Sequence, residues 1–421
     1  MAAQEATVAT LNDALELPCG QILRNRMMKS ALSEALGGRG NGPSDRLETL
    51  FRRWGDGGYG LIVTGNVMVD RTQLGEPGNV VVEDERDLEG LSSWAKSAQD
   101  GGAPLWMQIN HPGRQANPLA ARKRPVGPSA IAAKVPGAMT PRALTAAEIE
   151  DIIERFATTA VVAETAGFSG VQIHGAHGYL VAQFLSPLAN QRTDEWGGDP
   201  ARRMRFLLEI VRAIRKCVSP GFAVGIKLNS ADFQRGGFSE DESRDVVAAL
   251  SQEGLDLIEI SGGSYESPAM MGKSASASTL EREAYFLDYA KTVREVAGNV
   301  ALAVTGGFRS RTAMAAAVAG GDCDLVGLGR PTCTIPDAAA VILESRSEKL
   351  VSPSVEFGLR GPLGLVSDLK ALDGALDLQW HTDQLHRLAD GLEPDLDRQW
   401  WRTATSMLNR NGVGAFTRKR G

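Results

Sequence analysis

The chain has 421 residues, of which 43% are hydrophobic, 23% are charged and 6% are aromatic. This apolar content is enough for a large folded core and excludes a disordered polypeptide. The formal net charge is -6, and the Lys and Arg residues are scattered along the chain instead of forming a basic stripe. The composition therefore excludes an extended polyanion such as nucleic acid as the expected partner.

Cysteine spacing and the N-terminal residues indicate the compartment. The 4 cysteines lack the close spacings of a zinc site, a disulfide framework or an iron–sulfur cluster, so we expect reduced thiols. Residues 1–20 show no basic start followed by an apolar run. No stretch approaches the roughly 18 consecutive apolar residues that span a bilayer. We therefore expect a cytoplasmic protein without membrane contact, and a homo-oligomer is compatible with these features.

Short apolar runs alternate with longer amphipathic segments between about residues 26 and 345, which is the pattern of strands joined by helical crossovers. The predicted strands are Met27–Leu32, Leu61–Val67, Leu105–Asn110, Val171–His174, Val224–Asn229, Leu257–Ser261, Ala301–Thr305 and Asp324–Gly329. Repeats of this kind favour a closed (β/α)8 TIM barrel. Counting elements alone leaves an open doubly wound sheet as the alternative.

The segments between the strands predict two helices and one long loop. Glu148–Ala166 carries apolar residues at the spacing of one buried helix face. These residues are Ile149, Ile152, Ile153 and Phe156. Asp199 can cap a second helix, and Pro200 suits its first turn. Residues 111–147 are too long for an ordinary connection and are rich in Pro, Gly, Arg and Ala, so we predict a loop over the barrel mouth.

The residues after about 350 differ from the repeats before them. Helical patterns occur at Leu385–Leu392 and at Trp400–Leu408. Three tryptophans lie in this part of the chain, at Trp380, Trp400 and Trp401. We predict a division of the chain into a β/α barrel at residues 1–350 and a helical C-terminal extension at 351–421. Because exposed tryptophans rarely persist without a partner, the extension is expected to pack on the barrel or on a second subunit.

Polar residues at the C-terminal ends of barrel strands face the mouth where the active site lies. They are Ser30, Ser33, Thr64, Gln108, His174, Lys227 and Asn229. The last two strands end in Val-Thr-Gly-Gly at 304–307 and Gly-Leu-Gly-Arg at 327–330. Glycine lets backbone amides approach a ligand, and Arg330 can make a two-pronged contact, so we expect a phosphate group here. Ordinary glycine turns and a surface ion pair of Arg330 are the structural alternatives.

The densest polar group is His174-Gly-Ala-His177-Gly-Tyr179, directly after the fourth strand. No carboxylate accompanies the histidines and no His-Glu-x-x-His pattern is present, so we predict no metal site. Structural histidines remain an alternative. Two imidazoles can hydrogen-bond one oxygen that becomes negative, while a tyrosine delivers a proton nearby. This group suits reduction of a carbon–carbon double bond conjugated to a carbonyl.

The motifs resemble those of the Old Yellow Enzyme family over about residues 15–345. The most specific part is His174–Leu180 followed by Phe184–Asp199. Three further motifs occur in the order that the family shows, at Arg24–Arg26, Gln108–Arg114 and Gly327–Pro331. The resemblance implies an FMN-binding barrel that uses NADPH or NADH as reductant.

The resemblance also implies roles for individual residues. Those beside FMN would be Ser30, Ala31, Leu32, Ser33, Gly65, Gln108, Lys227, Gly307, Gly329 and Arg330. The last three of these would hold the phosphate, and Gln108 would bind the pyrimidine edge of the ring. His174 and His177 would bind the substrate carbonyl oxygen, and Tyr179 would donate the proton.

Two residues depart from the family pattern. Lys227 stands where many members have an arginine, so the positive charge is kept but the planar fork is lost. Ser33 stands where members have threonine or a redox-sensing cysteine, so cysteine-based tuning should be absent. Ser33 can still hydrogen-bond the flavin O4 atom.

The leading hypothesis is an NAD(P)H-dependent ene-reductase for enones or enals, with a ping-pong cycle. A non-redox alternative makes Lys227 the Schiff-base residue of an aldolase or lyase. A flavin-barrel isomerase or dehydrogenase and a non-catalytic ligand binder are further alternatives. The sequence does not indicate the physiological substrate or the preferred nicotinamide.

Overall fold

The computed structural model describes residues 8–134, 137–263, 266, 283–355 and 368–409. Parallel strands form a closed barrel in which each pairs with the next along the chain and the last pairs with the first. They are β1 (Met27–Lys29), β2 (Leu61–Met68), β3 (Leu105–Asn110), β4 (Gly170–Gly175), β5 (Ala223–Asn229), β6 (Leu257–Ser261), β7 (Ala301–Thr305) and β8 (Leu325–Leu328). The predicted (β/α)8 barrel is confirmed.

Strand β1 is shorter than the sequence predicts. The prediction placed its end at Leu32, whereas the observed strand ends at Lys29. Ser30 N still donates to Leu328 O of β8 at 2.9 Å, and the chain then leaves the barrel wall. The residues that follow are therefore a loop at the mouth and not part of the sheet.

Helices surround the barrel and continue after it. They are α1 (Asp45–Gly55), α2 (Leu88–Gln99), α3 (Ala146–Thr165), α4 (Leu180–Leu185), α5 (Pro200–Cys217), α6 (Glu240–Leu250), α7 (Leu287–Arg294), α8 (Arg311–Ala319), α9 (Pro331–Thr334), α10 (Ala338–Leu343), α11 (Asp368–Ala389) and α12 (Trp400–Leu408). The four apolar residues predicted for the inner face of α3 are all buried.

The N-termini of α3 and α5 show why these helices begin where they do. Thr145 and Glu148 form a capping box that starts α3 two residues before the predicted Glu148. Asp199 accepts a hydrogen bond from Arg202 N at 3.0 Å, and Pro200 occupies the first turn of α5. The predicted cap and proline of α5 are confirmed.

An apolar layer fills the N-terminal half of the barrel interior. Its largest member is Trp106 on β3, which is fully buried. A Cβ atom at Gly170 of β4 or Gly225 of β5 would lie 2.8 or 2.7 Å from the Trp106 indole, so both strands need glycine to accommodate the ring. The short antiparallel strands Leu15–Glu16 and Ile22–Leu23 form a hairpin before β1. Leu17 and Leu23 of this hairpin join the layer and close that end of the barrel. The mouth at the opposite end is left for polar residues.

The long segment after β3 contacts the mouth, as predicted. It contains a 3-10 turn at Gly113–Gln115 and a pair of short parallel strands at Val126–Gly127 and Arg142–Ala143. Gln115 Nε2 donates to the carbonyl oxygen of His177 at 3.0 Å. This contact ties the segment to the polar loop that follows β4.

Helix α11 of the C-terminal extension packs on the barrel helix α1. Arg46 of α1 forms an ion pair with Asp390 at 2.7 Å. Trp380 is fully buried, whereas Trp400 and Trp401 are 40% and 52% exposed. The predicted helical pattern at Leu385–Leu392 covers only the last turns of α11, because the chain turns at Gly391 with a φ of 74°.

The boundary between residues 350 and 351 stays a prediction. In the part of the chain described here, we find no helix with the length and apolar content that crossing a bilayer requires.

Candidate functional site

Inward-facing polar residues line the mouth because strand residues two apart share a face. On β4 these are Gln172 and His174, and on β5 they are Lys227 and Asn229. Glu259 and Ser261 continue the same layers on β6. The strands are in register, since His174 pairs with Lys227 and Lys227 pairs with Glu259. The polar layers therefore lie directly above the apolar layer that contains Trp106.

A buried hydrogen-bond network crosses the barrel below the mouth. Gln108 Nε2 donates to Gln172 Oε1 at 2.7 Å, and Gln172 Nε2 donates to Glu259 Oε2 at 2.8 Å. The other oxygen of Glu259 accepts from Ser30 and lies 3.1 Å from Lys227 Nζ. Lys227 also donates to Ser30 Oγ at 3.2 Å. The network places three predicted cofactor residues, Ser30, Gln108 and Lys227, on one connected layer.

The ion pair of Lys227 with Glu259 bears on the Schiff-base alternative. A Schiff-base lysine needs an unprotonated amine that can attack a carbonyl carbon. Here Lys227 Nζ lies 3.1 Å from Glu259 Oε1 in an ion pair, and both side chains are buried. A buried carboxylate strongly favours a charged partner. The arrangement favours a fixed positive charge over a nucleophile.

The rings of His174, His177 and Tyr179 form one cluster at the mouth. The His174 ring centroid lies 5.2 Å from that of His177 and 4.7 Å from that of Tyr179, with both pairs edge to face. The three side chains are buried or nearly so. His174 Nδ1 accepts from Ala176 N at 3.3 Å, so the neutral ring carries its proton on Nε2.

His177 has a backbone conformation that non-glycine residues rarely adopt, with a φ of 59°. Asn229 Oδ1 accepts from His177 N at 3.2 Å, and Gln115 donates to the His177 carbonyl. The His177 Nε2 atom lies 2.8 Å from Ser261 Oγ. These contacts hold both the backbone and the imidazole, so the ring is fixed before a ligand arrives.

Burial keeps both imidazoles neutral. Burial, and after it the positive charge of Lys227, lowers the pKa of His177 to about 3. Burial is also the main cause that places the pKa of His174 well below its ordinary value, followed by the nearby His177 and Lys227. At neutral pH each ring is therefore an uncharged group that can donate one N–H bond.

The ends of β7 and β8 lie side by side where the sequence predicts a phosphate group. Gly306 and Gly307 have left-handed φ angles of 132° and 91°. A Cβ atom at Gly307 would lie 2.9 Å from Ala284 N, so only glycine allows this close approach. Arg330 Nη1 lies 3.1 Å from Asp377 Oδ2 of α11. Arg330 thus forms an ion pair, as the structural alternative predicted, and its partner is a buried carboxylate.

The segment after β1 carries the other predicted cofactor residues. Ala31 and Leu32 are half-buried, and Ser33 Oγ donates to Glu76. Gly65 N donates to Glu34 Oε1 at 2.8 Å. A Cβ atom at Gly329 would have Leu32 as its nearest contact at 3.7 Å, so the β1 segment and the end of β8 adjoin. The structure brings the predicted residues to one mouth, while their roles stay predictions.

The donor set fits FMN. The Gln108 amide suits the hydrogen-bonding edge of a pyrimidine, and Lys227 supplies a cation for a ring that becomes negative on reduction. Arg330 and the backbone of Gly307 and Gly329 suit a phosphate. Among the residues that the structure describes, a Cβ atom at Gly329 would meet only Leu32, at 3.7 Å, so the backbone at the end of β8 is open to a ligand.

Sequence reasoning missed several residues of the site. They are Gln172, Glu259, Ser261, Thr305 and Asp377. Gln172 lies two positions before His174, Ser261 ends β6, and Thr305 ends β7, where its hydroxyl donates to Ser30 Oγ at 3.2 Å. Alternation and strand ends could have identified these three residues. Glu259 lies in the middle of β6, and its position needed the register with β5. Asp377 had no comparable signal.

Comparisons with known proteins identify a family for the chain. The NADH:flavin oxidoreductase / NADH oxidase family matches residues 19–349. The chain is 36% identical over 371 residues to the NADH-dependent flavin oxidoreductase iliE of Hypocrea jecorina (strain QM6a), covering 81% of this chain and 92% of the relative. It is also 36% identical to the protein of the same name from Neonectria sp. (strain DH2), but spans only 48% of that longer chain.

Two solved structures share the fold. One is 2-naphthoyl-CoA reductase in complex with 2-naphthoyl-CoA, with a TM-score of 0.75 and 26% identity over 82% of this chain and 54% of that one. The other is the old yellow enzyme homologue from Zymomonas mobilis, with a TM-score of 0.69 and 21% identity over 85% of this chain and 98% of that one. The second likeness bears on the fold alone.

A closed barrel with this mouth and these relatives defines a flavin-dependent oxidoreductase. The chain belongs to the NADH:flavin oxidoreductase / NADH oxidase family, and the resemblance to Old Yellow Enzymes is confirmed. Its cofactors are FMN and NAD(P)H.

Proposed function

We propose that the chain is an NAD(P)H-dependent ene-reductase that reduces the C=C bond of α,β-unsaturated carbonyl compounds. The observation that carries this proposal is the cluster of His174, His177 and Tyr179. Two neutral imidazoles and a phenol converge at the mouth. The centroid of the His174 ring lies 5.2 Å from that of His177 and 4.7 Å from that of Tyr179. A carbonyl oxygen and a carbon that needs a proton match these donors.

Each side chain has a separate task. The residues at the mouth would hold FMN, and that cofactor would supply the redox chemistry by which a hydride from NAD(P)H reaches the substrate β-carbon. His174 and His177 donate hydrogen bonds to the carbonyl oxygen, which becomes negative as electron density moves from the double bond. Tyr179 gives its phenolic proton to the α-carbon, which completes the saturated product, and a proton from water restores the phenol.

The surroundings of the cluster support these tasks. The Ser261 hydroxyl next to His177 Nε2 can donate to that atom, which leaves the His177 proton on Nδ1. Because their pKa values are lowered, both imidazoles are uncharged at neutral pH and add no positive charge to the site. The fixed charge of Lys227 favours the reduced, anionic state of the cofactor.

The relatives support the same chemistry. The neighbour named 2-naphthoyl-CoA reductase was solved with 2-naphthoyl-CoA, a thioester whose carbonyl is conjugated to unsaturated ring carbons. The curated relatives are named NADH-dependent flavin oxidoreductases. Unsaturated carbons conjugated to a carbonyl, as in 2-naphthoyl-CoA, are the substrate class that the donors at the mouth suit.

Anaerobic turnover tests the proposal. With 2-cyclohexenone as the enone, the protein should consume one NADH or NADPH for each saturated ketone formed. A flavin-barrel isomerase would convert substrate without net consumption of NAD(P)H, and a dehydrogenase would form NAD(P)H or an unsaturated product. Sodium borohydride with a carbonyl substrate should trap no adduct on Lys227, whereas trapping would support the aldolase or lyase alternative.

The cofactor assignment gives a first prediction. The protein should purify yellow with one non-covalent FMN per chain. Arg330→Ala should weaken FMN binding about 10- to 100-fold, because it removes a charge-assisted contact of about 1.5–3 kcal/mol. Absorbance of the purified protein and flavin titration of the stripped protein measure both. A colourless protein that does not take up added FMN would contradict the assignment.

Phenols test the two histidines, because a phenolate oxygen mimics the negative oxygen of the reacting substrate. His174→Ala and His177→Gly should each raise the dissociation constant of a phenol about tenfold or more through loss of a hydrogen bond to a charged acceptor. Glycine is chosen for His177 because it accepts the left-handed backbone. The long-wavelength absorption band of the phenol complex should weaken in parallel. Anisole, which lacks an ionisable oxygen, serves as the control ligand, and an equal loss of anisole binding would remove this role.

A further inference from the structure

Arg330 is joined to the C-terminal extension through Asp377. The Asp377 carboxylate accepts from Arg330 Nη1 at 3.1 Å through Oδ2, and from Val355 N at 2.9 Å through Oδ1. Asp377 is only 3% exposed. A buried carboxylate is unfavourable unless charged or hydrogen-bonding partners compensate it. Both of its oxygens therefore have a defined partner, and Arg330 is the charged one.

The contact with Asp377 fixes the Arg330 guanidinium but occupies only some of its N–H donors. A guanidinium carries several N–H donors in a planar fork, and the hydrogen bond to Asp377 uses Nη1. The Arg330 side chain is 30% exposed. Donors therefore remain for an anion at the end of β8.

The same helix also contacts the segment that follows β1. His386 Nε2 lies 2.9 Å from the carbonyl oxygen of Glu34, which follows the predicted flavin contacts Ser30–Ser33. Strands β1 and β8 are neighbours in the barrel. Helix α11 thus contacts both chain segments that flank the proposed cofactor site.

We infer that Asp377 is a positioning residue for the FMN phosphate and that α11 is part of the cofactor site. The inference rests on the proposed placement of the phosphate at Arg330. A free arginine loses side-chain conformational entropy when it binds an anion. Because Asp377 already orders the Arg330 side chain, this entropic cost of binding the phosphate is smaller. Arg330 lies between the two negative groups, so its attraction to each offsets their mutual repulsion.

A comparison of FMN with riboflavin tests the inference, because only FMN carries the phosphate. The full-length protein is stripped of flavin, and each flavin is titrated by the quenching of its fluorescence. Asp377→Ala should raise the dissociation constant of FMN about tenfold and that of riboflavin less than about twofold. Asp377→Asn, which keeps the shape and one acceptor, should give a smaller loss that is again selective for FMN.

Asp383→Ala is the matched control, since Asp383 is also buried on α11 and accepts from Arg398 Nε at 2.8 Å. It should leave the ratio of FMN to riboflavin affinity unchanged. Arg330→Ala should abolish most of the preference for FMN, and the double variant Arg330→Ala with Asp377→Ala should match Arg330→Ala alone.

An equal loss of both flavins in Asp377→Ala would overturn the inference and leave Asp377 a structural role. If Arg330→Ala kept the full preference for FMN, the phosphate would lie elsewhere, and the placement and the inference would fail together. Neither result depends on enone reduction, so both are distinguishable from failure of the proposed reaction.

Discussion

Tyr179→Phe is expected to leave reduction of the bound cofactor by NAD(P)H unchanged and to slow its reoxidation by an enone about 10²- to 10⁴-fold, the usual range for loss of a general acid. The variant keeps the ring that packs 4.7 Å from His174, so the hydrogen bonds to the substrate oxygen should persist. Only the phenolic hydroxyl, with its proton, is removed. Substrates whose α-carbon is protonated directly by water should be affected less.

Stopped-flow absorbance of the two half-reactions measures this effect. Tyr59→Phe is the matched control, because the Tyr59 hydroxyl is buried away from the mouth and donates to Pro336 O at 3.0 Å. It should alter neither half-reaction. Equal slowing of both half-reactions in Tyr179→Phe, or no slowing of reoxidation, would remove Tyr179 from the role of proton donor.

Lys227→Met is expected to lower the free energy of unfolding by about 3–5 kcal/mol, because it leaves Glu259 as a buried carboxylate without its cation. The Lys227 Nζ atom lies 3.1 Å from Glu259 Oε1, and Glu259 is fully buried. Adding Glu259→Gln should recover most of the lost free energy of unfolding, because the neutral amide can keep the contact with Gln172. Urea unfolding of the flavin-free protein measures each variant.

The exposed ion pair of Arg212 with Glu253 is the control for Lys227. The Arg212 side chain is 49% exposed, and exposed pairs contribute only about 0–1 kcal/mol. Arg212→Ala should therefore change stability little. If Lys227→Met were as stable as the unaltered protein, the buried ion pair would not hold the polar layer together as described.

The barrel could be predicted from the sequence because its strands are continuous apolar runs bounded by polar or small residues. Three predicted strands, including Leu105–Asn110, match the observed bounds. The end of β1 could not be predicted from apolar runs, because the sequence from Ser30 to Leu32 is also compatible with a strand. These residues leave the sheet in the folded chain, which the local sequence does not specify. The start of α3 was readable from Thr145 and Glu148, whose spacing is that of a capping box.

Some residues of the candidate site could be predicted from the local sequence, and others could not. His174, His177 and Tyr179 lie within one short segment, so local sequence sufficed to group them. Glu259 required the register between β5 and β6, which places it beside Lys227. The pairing of Arg330 with Asp377 spans 47 positions and depends on how α11 packs, which no local pattern specifies. The positive φ of His177 likewise depends on contacts from Asn229 and Gln115.

Double-mixing stopped flow under anaerobic conditions tests the central claim most directly. The protein is first reduced with one equivalent of NADH or NADPH and is then mixed with 2-cyclohexenone. The account predicts that the absorbance of oxidised flavin returns in the second step and that one saturated ketone forms per flavin. A cofactor that stays reduced in the presence of this enone and of enals, although NAD(P)H reduces it readily, would contradict the account.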